Sequence, residues 1–258
     1  MKRMPAIFVG HGSPMIALDH NELTETYGKL GQEVLEKFGR PKAILMISAH
    51  WYTRCTLVQI AEKPRQVYDM YVFPEELYQL KYEPAGYADL TKEVQHILGD
   101  AVEIDDDWGI DHGAWSVLVH IFPKADIPVV QLSVNGLLSD EESYALGEKL
   151  AQLRGEGYLL MASGNVVHNL RAVEWENENG SPAADRFDAY IKEAVKKRDD
   201  DEVIFYHQHP DASYAVPTPD HYLPLLYILG ASKGEKPYVF NNVRNLGSMA
   251  LTGYAFGL

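Results

Sequence analysis

Apolar residues in this chain fall into two kinds of run. The first kind is short and almost unbroken: the start of Ala6–Pro14, before its Gly-His-Gly-Ser-Pro turn, and Lys42–Ala49, Ile127–Val134 and Tyr158–Ser163 are carried mainly by Ile, Leu, Val, Met and Ala. Runs of this length and composition predict strands buried on both faces, as in parallel or mixed α/β sheets. The second kind recurs at spacings near three and four. It predicts helices over 21–38, Ala88–Leu98, Gly113–Phe122 with Asp111 as N-cap, Ser139–Arg154, Ala183–Arg198 and Leu225–Leu229. Shorter strands are expected at Thr56–Ile60, Ala101–Ile104, Val203–Tyr206 and Tyr238–Phe240. Ser248–Phe256 alternates in character and predicts an antiparallel edge strand. Residues 61–87 are rich in Tyr, Pro and charge without clear period, which predicts a long excursion over one rim of the sheet, a lid or pocket wall. Residues 174–182 read as a surface loop, and Asp199–Asp201 as solvated.

Strands alternating with helices, with no repeat, low-complexity segment or linker, predict one layered α/β domain over residues 1–258. Its central sheet is mostly parallel or mixed and is flanked by helices. Ligands of such sheets lie beyond the carboxyl ends of the strands. Three apolar strands run there into a histidine: His11 in Gly-His-Gly-Ser-Pro, His50 in Ile-Ser-Ala-His-Trp, and His168 in Ala-Ser-Gly-Asn-Val-Val-His. His112 and His221 also stand beside Gly, Pro or Asp in loops. Burying five imidazoles at one rim without a shared purpose is costly, so their grouping predicts a metal site at the strand ends. His20, His96 and His120 sit in or beside helices and read as packed or surface residues, whereas His207 and His209 share a Pro-terminated loop and read as a pocket rim.

Composition narrows the options. A formal charge of −14 removes the basic face that nucleic acid or an anionic membrane requires. The single cysteine, Cys55, can form neither an internal disulfide nor a thiolate zinc site. No signal region precedes the first strand and no apolar run approaches the ~20 residues of a membrane helix, so a cytoplasmic protein is expected. The chain holds no His-Glu-x-x-His, P-loop, dinucleotide fingerprint or Gly-x-Ser-x-Gly elbow, which argues against nucleotide cofactors and a serine hydrolase.

Neutral imidazoles suit zinc, iron, copper or nickel. With zinc, an open position takes water and hydrolysis follows; with Fe(II), open positions can take a bidentate substrate and dioxygen. A metallohydrolase needs a carboxylate base, for which Asp111 and Asp220 are the close candidates. A spare histidine, by contrast, suits transfer of phenol protons, and the Trp/Tyr-rich loops suit an aromatic substrate. The balance tilts to an oxygenase, with a zinc amide or ester hydrolase and a non-enzymatic metal-binding protein as alternatives.

The blocks Gly-His11-Gly-Ser-Pro-Met, Ile-Ser-Ala-His50-Trp, Trp-Gly-Ile-Asp-His112-Gly-Ala-Trp, Ala-Ser-Gly-Asn-Val-Val-His168-Asn-Leu and Thr-Pro-Asp-His221-Tyr-Leu-Pro-Leu-Leu appear in this order between residues 10 and 226. Together they resemble the 4,5-DOPA extradiol dioxygenase family of class III ring-cleaving enzymes, related to the catalytic subunit of protocatechuate 4,5-dioxygenase. The resemblance implies one divalent metal per chain on His11, His50 and His221, Fe(II) for activity, with zinc able to fill the site in purified protein. It implies His168 as acid/base and His112 as a substrate-binding or proton-relay residue. A small aromatic diol such as L-DOPA, and O2, would be the partners. Class III enzymes typically use two histidines and a glutamate; here the third position is His221, with Asp220 beside it and His168 as a possible fourth ligand.

Overall fold

The computed structural model describes residues 2–177 and 179–258. Its eleven strands are β1 (Ala6–Gly10), β2 (Ile44–Thr53), β3 (Thr56–Val58), β4 (Val102–Ile104), β5 (Val129–Asn135), β6 (Leu159–Gly164), β7 (Val167–His168), β8 (Pro237–Phe240), β9 (Arg244–Asn245), β10 (Met249–Ala250) and β11 (Gly253–Phe256). Eight form one sheet in the order β4-β3-β5-β2-β6-β1-β11-β8, and β7-β10-β9 form a small second sheet. The four central strands β5, β2, β6 and β1 are parallel. β11 and β8 continue the sheet antiparallel on one side, and β3 pairs antiparallel with β5 on the other.

Strand side chains alternate between the two faces, and each face meets its own helices. Ile7, Val9, Ile44, Met46, Leu159 and Met161 pack against α1 (Glu22–Phe38), α2 (Glu75–Gln79) and α4 (His112–Ile121). Phe8, Leu45, Ile47, Leu160 and Ala162 face α3 (Ala88–Leu98), α5 (Asp140–Leu150), α6 (Pro182–Lys197) and α9 (Leu223–Ala231). α7 (Asp200–Ile204) and α8 (Ala212–Ala215) are single turns. Helix starts follow local chemistry. Asn21 and Ser139 form reciprocal capping boxes with Thr24 and Glu142, and the Asp111 side chain caps α4 by accepting from Ala114 N. The expected three-layer α/β domain is therefore present. Among the described residues no helix is long and apolar enough to cross a membrane.

Two local expectations are corrected. Val203 and Ile204 belong to α7, not to a strand: Asp200, Asp201 and Glu202 occupy its first turn, where acidic groups suit a helix N-terminus, while Val203 and Ile204 bury against the core. Ser248–Phe256 is not one edge strand. It contributes β10 to the small sheet, breaks at Leu251-Thr252, and then enters the main sheet as β11 between β1 and β8, with all four residues of β11 buried.

Candidate metal centre

The carboxyl ends of β1, β2 and β6 meet at one level, because Val9 and Ser48 are both in register with Ser163. His11 follows β1 directly, and its backbone N–H extends the ladder to Gly164 O at 3.1 Å. His50 lies within β2, inside the irregularity between Ser48 and Tyr52 in its register with β5. His112 opens α4, whose cap Asp111 accepts a hydrogen bond from Ser48 Oγ at 2.6 Å. His168 is delivered by β7, paired with Met249 of β10. His221 ends a helical turn before α9, and its carbonyl accepts from Asn165 N at 2.9 Å. The Asn165 side chain in turn accepts from Gly12 N at 3.1 Å, which ties the His11 and His221 loops together.

All five sequence-predicted histidines converge. The rings of His11, His50 and His221 form a nearly equilateral triangle, with centroids 5.0 Å apart for His11–His50, 5.1 Å for His11–His221 and 5.0 Å for His50–His221. His112 lies 3.8 Å from His50, ring to ring, and His168 stacks on His221 at 3.6 Å. In each ring of the triangle Nδ1 faces an oxygen: Ser163 Oγ at 2.8 Å for His11, Asp69 Oδ2 at 3.1 Å for His50, and Asp220 for His221. The Nε2 atoms are left free of these oxygens. Those of His11 and His50 are 3.1 Å apart, and His221 Nε2 is buried without a partner. Two nitrogens bound at ~2.0–2.1 Å to one ion sit about 2.9 Å apart at a right angle and about 3.4 Å apart at a tetrahedral angle. The observed spacing falls between these values. Outer partners on Nδ1 are also what metal-ligating histidines ordinarily carry. The residues fit a divalent metal. His11, His50 and His112 present donor atoms within 4.8 Å of one another, and His168, Asp220 and His221 form a second such group beside them.

Electrostatics favour neutral ligands at most of these positions. Burial, reinforced by the neighbouring histidines, holds His11 well below its ordinary pKa. Burial brings His221 to about 4 despite the opposing pull of Asp220, and burial together with His221 brings His168 to about 2. His112 is lowered by burial and by His50, against the pull of Asp69. His50 differs: burial lowers it, but Asp69, Asp111 and Asp220 together outweigh burial and raise it. Asp69 is held below the usual carboxylate range because His112 and His50 outweigh its burial.

Two carboxylates have roles that the sequence assigned only in part, for Asp111 as a helix cap, or not at all, for Asp69. Asp111 is fully buried and saturated: besides Ser48 Oγ, it accepts from Ala114 N at 3.2 Å, from Trp108 Nε1 at 3.0 Å and from Gln131 Nε2. A carboxylate so occupied is a brace, not a free base. Asp69, from the 61–87 excursion, has no sequence signal beyond an acid among tyrosines, yet it reaches both His50 and His112. Gly113 permits the close approach, since a Cβ there would lie 2.7 Å from Ser48 Oγ and 2.8 Å from His50 Cδ2. The remaining histidines lie outside the cluster: His120 contacts Ile16 O at 2.7 Å and His20 edge-on, His207 pairs with Asp140, and His209 packs against Phe187 and Tyr190.

The chain is similar to known proteins along nearly its whole length. Residues 5–257 match the family described as the catalytic LigB subunit of aromatic ring-opening dioxygenase. The chain is 43% identical to the 4,5-DOPA dioxygenase extradiol of Escherichia coli K12 over 241 residues, covering 91% of this chain and 88% of that protein. It is 35% identical to the Beta vulgaris protein of the same name, covering 96% and 95% of the two chains. The crystal structure of uncharacterized protein JW3007 from Escherichia coli K12 superposes with a TM-score of 0.86 at 38% identity, covering 99% of this chain and 100% of that one. With the fold and nearly the whole length in agreement, the chain belongs to the LigB family of aromatic ring-opening dioxygenases.

Proposed function

We propose that this dioxygenase opens the ring of a catechol such as L-DOPA beside its diol, using O2 and Fe(II), to give a ring-opened semialdehyde. The observation that carries the reading is the triangle of His11, His50 and His221, with each Nδ1 engaged, the Nε2 atoms of His11 and His50 3.1 Å apart and that of His221 unpartnered, flanked by two more imidazoles. The names of the relatives, 4,5-DOPA dioxygenase extradiol, support the substrate class. A ferrous ion held by these three residues would supply the redox chemistry, gathering the catechol oxygens and dioxygen in one coordination sphere.

The chain's own residues do the rest. His168 is neutral at physiological pH because burial and His221 oppose its charging. A neutral imidazole is the form that can take a phenol proton and return it when the ring opens. His112 lies at the side of His50, where its imidazole holds the second oxygen of the diol or relays its proton. Asp69 and Asp220 carry negative charge that offsets the positive charge of a bound ion. The test is to give Fe(II)-loaded protein L-DOPA and other catechols in air. The expected result is a new yellow semialdehyde absorbance that zinc-loaded protein does not produce; its absence with every catechol at full iron occupancy would overturn the reading.

A further inference from the structure

We infer that Asp69 is a positioning residue of the metal centre, one carboxylate that holds Nδ1 of His50 and the backbone N–H of His112 and so turns Nε2 of His50 toward the space beside His112. Its Oδ2 lies 3.1 Å from His50 Nδ1, and its Oδ1 accepts the backbone N–H of His112 at 3.0 Å; the His112 Nδ1, though 2.9 Å from Oδ1, is not in hydrogen-bonding alignment with it. The carboxylate is only 13% exposed, so water does not compete strongly for these contacts. An ionised carboxylate has no proton to give, and any ring nitrogen held against it must be the protonated one. Nε2 of His50 is then the acceptor, the form that can bind a metal.

Asp69 does not reach this place by accident of a loose loop. Val67 N donates to Ile110 O and Ile110 N to Arg65 O, both at 2.8 Å, so the strip 65–67 is stapled to the segment that leads into α4. Trp115 Nε1, one turn inside α4, donates to Val67 O at 2.9 Å. Gly109 leaves the space for this close pairing, since a Cβ there would collide with Arg65 O. The excursion and the start of α4 therefore form one unit. That unit brings a carboxylate to a proposed ligand on β2 and to a proposed substrate histidine on α4. Asp69 ties the two together, and a displacement of either ring is felt by the other.

The inference rests on His50 being a metal ligand, and the experiment keeps the two claims separate. The full chain is stripped of metal and titrated with Co(II), with affinity measured against a chelator and the visible Co(II) spectrum recorded. His50→Ala is the control for the ligand assignment; if it binds Co(II) as the unaltered protein does, that assignment fails. Asp69→Asn keeps size but sets an amide against two N–H groups. It is expected to bind Co(II) about 10–100-fold more weakly, the usual cost of losing an outer-sphere partner, with a shifted Co(II) band. Asp69→Glu keeps the charge at the cost of a longer side chain and is expected to lose less affinity than Asp69→Asn. Asp69→Asn with unaltered affinity and spectrum, alongside a defective His50→Ala, would overturn the role of Asp69 and leave the metal centre standing. A second measurement needs no variant: long-range 1H–15N NMR of the unaltered protein loaded with zinc reads the tautomers. Nδ1–H on His50 is expected, and Nε2–H on His50 would refute the inference.

Discussion

The imidazoles of His168 and His221 are stacked face to face, their planes 5° apart and their centroids separated by 3.6 Å. Burial is the main cause that holds both below the ordinary histidine range, and the neighbouring His221 adds to it at His168. The stack also sets a division of labour. His221 turns its Nδ1 to Asp220, whereas His168 belongs to the small second sheet and is positioned through β10. His168→Ala is therefore expected to keep the metal and lower kcat about 10²–10⁴-fold, the usual share of a general acid or base. Metal analysis of the purified variant alongside turnover checks this; loss of the metal would make His168 a ligand.

His221→Ala and His11→Ala are expected to behave differently. Each removes a corner of the triangle, so both should bind metal too weakly to survive dialysis, with turnover lost in proportion to occupancy. Retained stoichiometric metal in His221→Ala would instead assign the third corner to His112, whose donor atom also lies near those of His11 and His50.

Asp111 provides a test against hydrolytic chemistry. Its oxygens accept from Ser48, Ala114, Trp108 and Gln131, and Asp111→Asn sets an amide N–H against some of these donors. The expected result is a destabilisation of about 1–3 kcal/mol, the cost of leaving buried polar groups unpaired, read as a lower thermal midpoint. A variant with unaltered stability and abolished turnover would show Asp111 acting as a base.

Gly113→Ala tests how tightly the site is packed. The added methyl would press on Ser48 Oγ and His50 Cδ2, with no room for relaxation between α4 and β2. Weakened metal binding is expected even though no ligand has changed, and a chelator competition measures it. Affinity equal to that of the unaltered protein would show that α4 can shift freely.

Much of this site is written locally in the chain. His11, His50 and His168 follow apolar strands that end in small residues, and His112 and His221 each follow an Asp, so short motifs suffice to nominate all five. The carboxylates that orient them are less legible. Asp220 and Asp111 adjoin histidines, but Asp111 looks like a candidate base until its four hydrogen-bond donors are seen. Asp69 carries no mark, because its position depends on the pairing of residues 65–67 with Ile110 across some forty residues of chain. In the fold, the buried strands and capped helices are read directly from periodicity. Val203–Tyr206 is misread as a strand because β-branched and aromatic residues there outweigh the acidic helix start before them. The break in Ser248–Phe256 depends on which sheet each half joins, a choice made by tertiary packing.

Oxygen consumption tests the central claim most directly. Metal-stripped protein, reloaded anaerobically with Fe(II) and given L-DOPA, is exposed to a known amount of dissolved O2 in an electrode cell while the semialdehyde is followed by absorbance. The account predicts one O2 consumed per ring opened, with no uptake by zinc-loaded protein or by His50→Ala. Full iron occupancy with no oxygen uptake from any catechol would contradict it.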